Sequence, residues 1–295
     1  MIIIPGPASP KLGIALSNHL GLTPKPIDHR LFPDGESYIR LTTEVNDENV
    51  VLVQTTAPDP DRKLMQLLIS SKTIKDLGAR RIVAVVPYLA YMRQDKRFLE
   101  GEALSFDIVL GLLESVGVDD LVVVDLHSIE SLKMIQPKHR INVHTLSAIP
   151  EIAVYLKSHG YDGAYSLSPD EGRKEVVSKA SEVMGGGFGF FEKLRDRNTG
   201  ETYMKVKDIN VDGRKAVVFD DIISSGGTMA KAIAGLKEQG AVKVAAACTH
   251  ALFMPGAEEK LSAAGADMIV ATDTVETEYS KVSVAGLLAG FLKEL

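Results

Sequence analysis

Short runs of β-branched and aliphatic residues recur along the chain, at Val50–Val53, Ile82–Val86, Leu121–Val124, Ala216–Phe219, Val242–Ala247 and Met268–Ala271. Each is apolar at consecutive rather than alternate positions, the pattern of strands buried on both faces. Between them lie amphipathic segments with helical spacing, among them Lys63–Leu77, Phe106–Ser115 and Thr228–Gln239. Strands and helices alternating in this way predict an α/β fold of mainly parallel sheets flanked by helices.

The pattern also repeats. Lys75-Asp76-Leu77-Gly78-Ala79 and the strand after it resemble Lys237-Glu238-Gln239-Gly240-Ala241 and its strand, at an offset of 162. Gly117-Val118-Asp119 with its strand resembles Gly265-Ala266-Asp267 with its strand, at an offset of 148. The first half therefore holds 14 extra residues between the two matches, and Tyr91–Leu104 is where they must fall. Two ordered matches in 295 residues predict two tandem domains, 1–145 and 146–295, with the last helix able to pack back on the first. The breakers Pro137, Asn142 and Pro150 fit a crossover between them.

Composition narrows the class. Hydrophobic residues are 45% and charged residues 24%, which excludes a disordered or fibrous chain. A net charge of −6 argues against a general nucleic-acid binder, and no apolar run approaches the ~20 residues of a membrane span. One cysteine, Cys248, excludes an intrachain disulfide. The opening Met1-Ile2-Ile3-Ile4-Pro5-Gly6 reads as a strand rather than a signal peptide, so a cytoplasmic protein is expected. An acidic protein that handles phosphates must concentrate its cations locally or recruit Mg²⁺.

The richest segment is Lys215–Thr228. A buried strand delivers Asp220 and Asp221, and Ser224, Ser225, Gly226, Gly227 and Thr228 then open a helix. Glycines let backbone N–H groups approach an anion, the hydroxyls add donors, and a helix N-terminus favours negative charge. The acids repel phosphate, so they suit sugar hydroxyls or Mg²⁺. The Gly-Lys-Ser/Thr ending of a Walker loop is absent. Further on the N-terminal side, 188–208 alternates and turns at 197–200, as a hairpin does. Lys193 and Arg195, two residues apart, share one face of it and could together stabilise charge in a phosphoryl transfer. In the inserted loop, Arg93 can pair with phosphate or stack on a base, while Gln94 and Asp95 can read amide and amine groups. His127 follows Asp125 at a strand end, where α/β sheets bind ligands.

Val217–Thr228 resembles the phosphoribosyl-pyrophosphate signature of type I phosphoribosyltransferases and of phosphoribosyl pyrophosphate synthetases. Phe32–Glu36, Pro87–Lys96, Asp125–Ser128 and Ser168–Asp170 resemble the synthetase motifs in the synthetase order, so the resemblance covers essentially the whole chain, with an archaeal look. It implies two tandem phosphoribosyltransferase-type domains and ribose-phosphate diphosphokinase activity, in which Mg-ATP and ribose 5-phosphate give phosphoribosyl pyrophosphate and AMP. By the same resemblance, Lys193 and Arg195 are catalytic, and Phe32, Asp34, Glu36, Arg93, Gln94, Asp95 and His127 contact ATP. Asp220, Asp221 and Ser224–Thr228 hold ribose 5-phosphate, and His127 and Asp170 stand near the metal. The pyrophosphate loop departs from the common bacterial pattern, with Glu171 in place of its first glycine. Phe32–Glu36 reaches the neighbouring subunit's ATP site in the family, which implies at least a homodimer with shared sites. The alternatives are a plain type I phosphoribosyltransferase and a catalytically silent regulatory homologue.

Overall fold

The computed structural model describes the chain except Asp170, 196–201 and 207–209; for 192–195 and 202–206 it describes the backbone alone. Two compact units emerge, one of Met1–Leu146 with Val284–Leu295 and one of Ser147–Ser283.

The first unit runs β1 (Ile2–Pro5), α1 (Pro10–Leu20), β2 (Ile27–Leu31), β3 (Ser37–Leu41), β4 (Asn49–Val53), α2 (Pro60–Asp76), β5 (Arg81–Val85), α3 (Ser105–Ser115), β6 (Asp120–Val124), α4 (Ile129–Ile135) and β7 (Asn142–Leu146). Five strands form a parallel sheet in the order β1-β4-β5-β6-β7, and β2 and β3 make a separate antiparallel hairpin. The central strands β4, β5 and β6 are apolar at their last four positions because helices cover both faces. Val50, Leu52, Ile82, Ala84, Leu121 and Val123 pack in the cluster that holds Leu67 and Ile74 of α2 and Phe106 and Leu110 of α3. Each fully buried aliphatic side chain of this kind is worth about 1.5–3 kcal/mol. Helix starts are marked chemically: Pro10 and Pro60 occupy the first turns of α1 and α2, where a missing N–H costs nothing.

The second unit runs α5 (Ile149–Leu156), β8 (Tyr165–Ser168), α6 (Lys174–Met184), β9 (Phe188–Arg195), β10 (Thr202–Val206), β11 (Lys215–Ile223), α7 (Gly227–Glu238), β12 (Lys243–Ala251), α8 (Ala257–Ala263), β13 (Met268–Thr272) and β14 (Ser280–Val282). Its sheet has the order β10-β9-β8-β11-β12-β13-β14, parallel except for the β9–β10 pair. The last helix, α9 (Ala285–Glu294), belongs to the first unit, where Phe291 packs 5.0 Å from the His144 ring and the Leu295 carbonyl accepts from Arg81 Nη1 at 3.4 Å.

The repeat is structural. Strands β8-β11-β12-β13-β14 follow the same order as β1-β4-β5-β6-β7, and each unit inserts a hairpin before its second sheet strand. The surplus sits after β5, where 86–104 connects to α3, whereas 252–256 suffices between β12 and α8. Among the described residues, no helix is long and apolar enough to cross a membrane.

Candidate active site

In the first unit, the segments singled out by sequence gather where β4, β5 and β6 end, on the hairpin and on the loop after β5. The hairpin and the loop after β5 are anchored by a buried polar network at Gln54-Thr55-Thr56, directly after β4. Gln54 Oε1 accepts from the Ala8 N–H at 2.9 Å, and the Thr55 N–H donates to Ser9 Oγ at 2.8 Å. Gly6 allows this approach, since a Cβ there would collide with Gln54 Oε1 and lie 2.8 Å from the Val53 carbonyl oxygen. Thr56 Oγ1 donates to the Tyr88 carbonyl at 2.9 Å and accepts from the Ala90 N–H at 2.6 Å, which fixes the start of the long loop. Gln66 Nε2 donates to Ser37 Oγ at 3.1 Å, so the hairpin hangs from the same region. Sequence reading missed these residues; three polar side chains in a row closing an apolar strand were the available signal.

The hairpin tip is a built turn. The Phe32 N–H donates to the Glu36 carbonyl at 2.8 Å, and the Glu36 N–H donates to Asp34 Oδ1 at 3.2 Å. Phe32 keeps 40% of its surface exposed, with the Arg30 guanidinium 5.7 Å from its ring centre and Tyr38 edge-on at 6.0 Å. Asp34 and Glu36 are exposed.

The long loop is folded around Glu102, whose carboxylate accepts from the Phe98 and Leu99 N–H groups at 2.7 and 3.1 Å and from Gln94 Nε2 at 3.4 Å. Those donors, the backbone pair first, hold its carboxyl below the usual range. Arg93 is exposed and Gln94 half-buried, while Asp95 is turned inward onto Ser131. Tyr91, just before them, carries φ of 69°, a left-handed conformation uncommon for a bulky residue, and its hydroxyl donates to the Asp61 carboxylate. His127 is exposed in the turn after β6, behind Asp125 at φ of 41°.

In the second unit, Asp220 and Asp221 lie inside β11 rather than in the turn beyond it, with their carboxyl groups close enough to interact. Asp220 lines a cavity of about 130 Å³ with Ile222, Ser224, Ser225, Gly226, Gly227 and Thr228. Asp221, 6% exposed, forms an ion pair with Arg173 from the segment after β8. Burial, and then the neighbouring Asp221 charge, push the Asp220 carboxyl well above its ordinary range.

The turn after β11 is shaped for an anion. Helix α7 begins at Gly227, so its first-turn N–H groups point out of the helix end beside the cavity. Gly226 has φ of 73°, and a Cβ there would come within 3.0 Å of the Ala257 carbonyl oxygen. The β12–α8 connection braces the turn: the Met254 N–H donates to the Ser224 carbonyl at 3.0 Å and Lys260 Nζ to the Ser225 carbonyl at 3.2 Å.

Lys193 and Arg195 stand on β9 opposite Met204 and Thr202, and their side chains lie outside the described residues, as does Asp170. Among the described residues no group of three or more His, Cys, Asp or Glu is arranged to hold a metal ion.

Fold and site together define a duplicated α/β protein whose second unit carries a glycine-containing strand-to-helix turn with an acid lining its cavity. Residues 1–117 match the family model of the N-terminal domain of ribose phosphate pyrophosphokinase, and residues 202–288 match that of the phosphoribosyl synthetase-associated domain. The ribose-phosphate pyrophosphokinase of Saccharolobus solfataricus is 40% identical over 93% of each chain, and that of Sulfurisphaera tokodaii is 36% identical over the full length of both. The crystal structure of phosphoribosylpyrophosphate synthetase from Mycobacterium smegmatis superposes with a TM-score of 0.86 at 28% identity, covering 99% of this chain and 97% of that one. The chain belongs to the ribose-phosphate pyrophosphokinase family.

Proposed function

We propose that this chain is a cytoplasmic ribose-phosphate diphosphokinase that transfers the β,γ-diphosphoryl group of ATP to the 1-hydroxyl of ribose 5-phosphate. The observation that carries the reading is that one chain holds both halves of the chemistry. The second unit has a strand-to-helix turn suited to an anion, with an acid lining its cavity, and the first has the anchored Arg93–Gln94 loop. A plain phosphoribosyltransferase needs no such loop, and a silent homologue has no use for Lys193, Arg195 and Asp170 together.

In this reading the Ser224–Thr228 turn grips the 5-phosphate through backbone N–H groups and hydroxyls, and Asp220 accepts from a ribose hydroxyl. Asp221 is the second ribose acid, with Arg173 fixing its carboxylate. Holding the sugar in this way aims its 1-oxygen at the β-phosphorus. The new bond joins that oxygen to the β-phosphorus, the bond from the β-phosphorus to the α-bridging oxygen breaks, and AMP leaves. The hydroxyl proton is lost to solvent. Phe32, Asp34 and Glu36 recognise adenine, and Arg93 and Gln94 hold the nucleotide. Lys193 and Arg195 neutralise the moving diphosphoryl group.

A Mg²⁺ ion on the phosphates of ATP is part of the reading, and His127 and Asp170 are the residues that the family resemblance puts near it. When bound, that ion supplies neutralisation of phosphate charge. Product identity tests the reading: with Mg²⁺, ATP and ribose 5-phosphate, AMP accumulates and ADP does not, whereas ADP would mark a γ-phosphoryl kinase.

The loop assignment has its own test. Ser225→Ala or Thr228→Ala each weaken ribose 5-phosphate binding by ~10- to 100-fold, the loss of one donor to a charged group, with ATP affinity nearly unchanged. Calorimetry with each substrate separately reads both numbers, and a selective loss of ATP affinity would reassign the turn.

The exposed Phe32 tip supports a homodimer at minimum, with each tip completing a neighbouring subunit's ATP site. A Lys193→Ala chain and a Phe32/Asp34/Glu36 triple-alanine chain, each inactive alone, are expected to recover activity when co-expressed. Random pairing leaves half the dimers mixed and about a quarter of all sites intact. Verified mixed dimers without recovery would return the tip to a structural turn.

A further inference from the structure

The sequence motif groups Asp95 with Arg93 and Gln94 as a nucleotide contact, yet its side chain is committed elsewhere. Asp95 is 8% exposed, and its Oδ2 accepts from Ser131 Oγ at 2.5 Å. Ser131, 3% exposed, lies in the first turn of α4, and its N–H donates to Oγ of the capping residue Ser128 at 3.2 Å. Ser128 Oγ in turn donates to Ser131 Oγ at 3.0 Å. The protons run in one direction, from Ser128 to Ser131 to Asp95, and the relay ends correctly because an ionised carboxylate only accepts. A charge-assisted hydrogen bond of this length in a buried site is stronger than a neutral one.

The two ends of this relay lie on different connections. Asp95 sits beside Arg93 and Gln94 in the loop after β5, and Ser128 sits beside His127 in the turn after β6. The loop has other anchors at its start, through Thr56, and at its close, through the Phe106 N–H on the Gln94 carbonyl at 3.4 Å. The Val124 N–H on the Pro87 carbonyl at 3.1 Å ties the start of the loop to the end of β6, and the Asp95–Ser131 contact carries that tie to the Arg93–Gln94 motif itself.

We propose that Asp95 is a positioning residue that registers the Arg93–Gln94 loop against the His127 turn through Ser131, so that the two segments meet one nucleotide in a fixed geometry. This rests on the reading above that both segments contact ATP. It makes Ser131, which carries no motif of its own, a determinant of nucleotide affinity.

The test is Mg-ATP affinity by calorimetry, with ribose 5-phosphate affinity and Tm measured alongside, for wild type, Asp95→Ala, Ser131→Ala, the double variant and Asp95→Asn. Residues acting through one shared contact give non-additive effects. Asp95→Ala and Ser131→Ala are each expected to weaken ATP binding by ~10-fold, and the double variant no more than either, the signature of one shared contact. Asp95→Asn keeps an acceptor for Ser131 and stays within ~3-fold of wild type, and ribose 5-phosphate affinity does not move.

Three kinds of result overturn the inference. One is Ser131→Ala near wild type beside a severe Asp95→Ala. Another is a double variant that multiplies the two losses, or an Asp95→Asn as damaging as Asp95→Ala, since each means the carboxylate serves the nucleotide or its metal directly. The third is an equal loss for both substrates in step with Tm, which reduces the relay to fold support. Wild type that binds ATP yet forms no AMP would sink the diphosphokinase reading and leave this comparison of affinities intact.

Discussion

Lys193→Ala and Arg195→Ala are each expected to lower kcat by ~10²-fold or more while leaving KM for ribose 5-phosphate within a few-fold of wild type, the size seen when one electrostatic stabiliser is removed. The asymmetry follows from when the charge appears. A cation that meets the diphosphoryl group only as its bonds rearrange is strongest in the transition state, so its loss falls on kcat. Both residues stand two apart on β9, opposite Met204 and Thr202, and belong to one strand face. Steady-state kinetics with each substrate varied separately decides the matter. Raised KM at unchanged kcat would make them ground-state binding residues.

Asp220→Asn is expected to move activity and stability in opposite directions. The carboxyl is held well above its ordinary range by burial and by the adjacent Asp221, so the folded chain binds a proton there more readily than the unfolded chain does. For an acid shifted in this sense, stability is lost as pH rises from the unfolded value of 3.8 through the folded one. Asparagine carries no such cost. The variant should therefore melt higher than wild type at pH 7, with the difference shrinking as pH falls toward 3. Its kcat/KM for ribose 5-phosphate should drop by ~10- to 100-fold, because a carboxyl partner for a ribose hydroxyl gives way to an amide. Melting curves at several pH values read the first effect and initial rates the second. A variant that melts at or below wild type at pH 7 contradicts the account of the buried acid pair.

The framework was legible in the sequence wherever burial is two-sided. Val50–Val53, Leu121–Val124 and Ala216–Phe219 are uniformly apolar because helices cover both faces, and no distant information is needed to see it. The 14 surplus residues could be assigned to one connection by counting, and they lie between β5 and α3. The strand-to-helix turn at 224–228 was readable for a local reason, since strand, acids, hydroxyls and glycines are contiguous.

What escaped depends on contacts far apart in the chain. Gln54 and Ala8 are 46 residues apart, and Asp95 and Ser131 are 36 apart, so nothing near either residue announces its partner. Asp220 and Asp221 read alike as neighbours in sequence, and only the folded chain shows that Asp220 lines the cavity while Asp221 pairs with Arg173, 48 residues away. Arg173 itself, in the segment that departs from the common bacterial pattern, gains a defined partner in the structure.

The most direct measurement is AMP release from Mg-ATP with and without ribose 5-phosphate, counted against the phosphoribosyl pyrophosphate formed. The account predicts that AMP appears only when the sugar phosphate is present, in a one-to-one ratio with phosphoribosyl pyrophosphate, and that chelation of Mg²⁺ stops both. AMP formation independent of ribose 5-phosphate, or none at all from folded protein supplied with Mg²⁺, would contradict it.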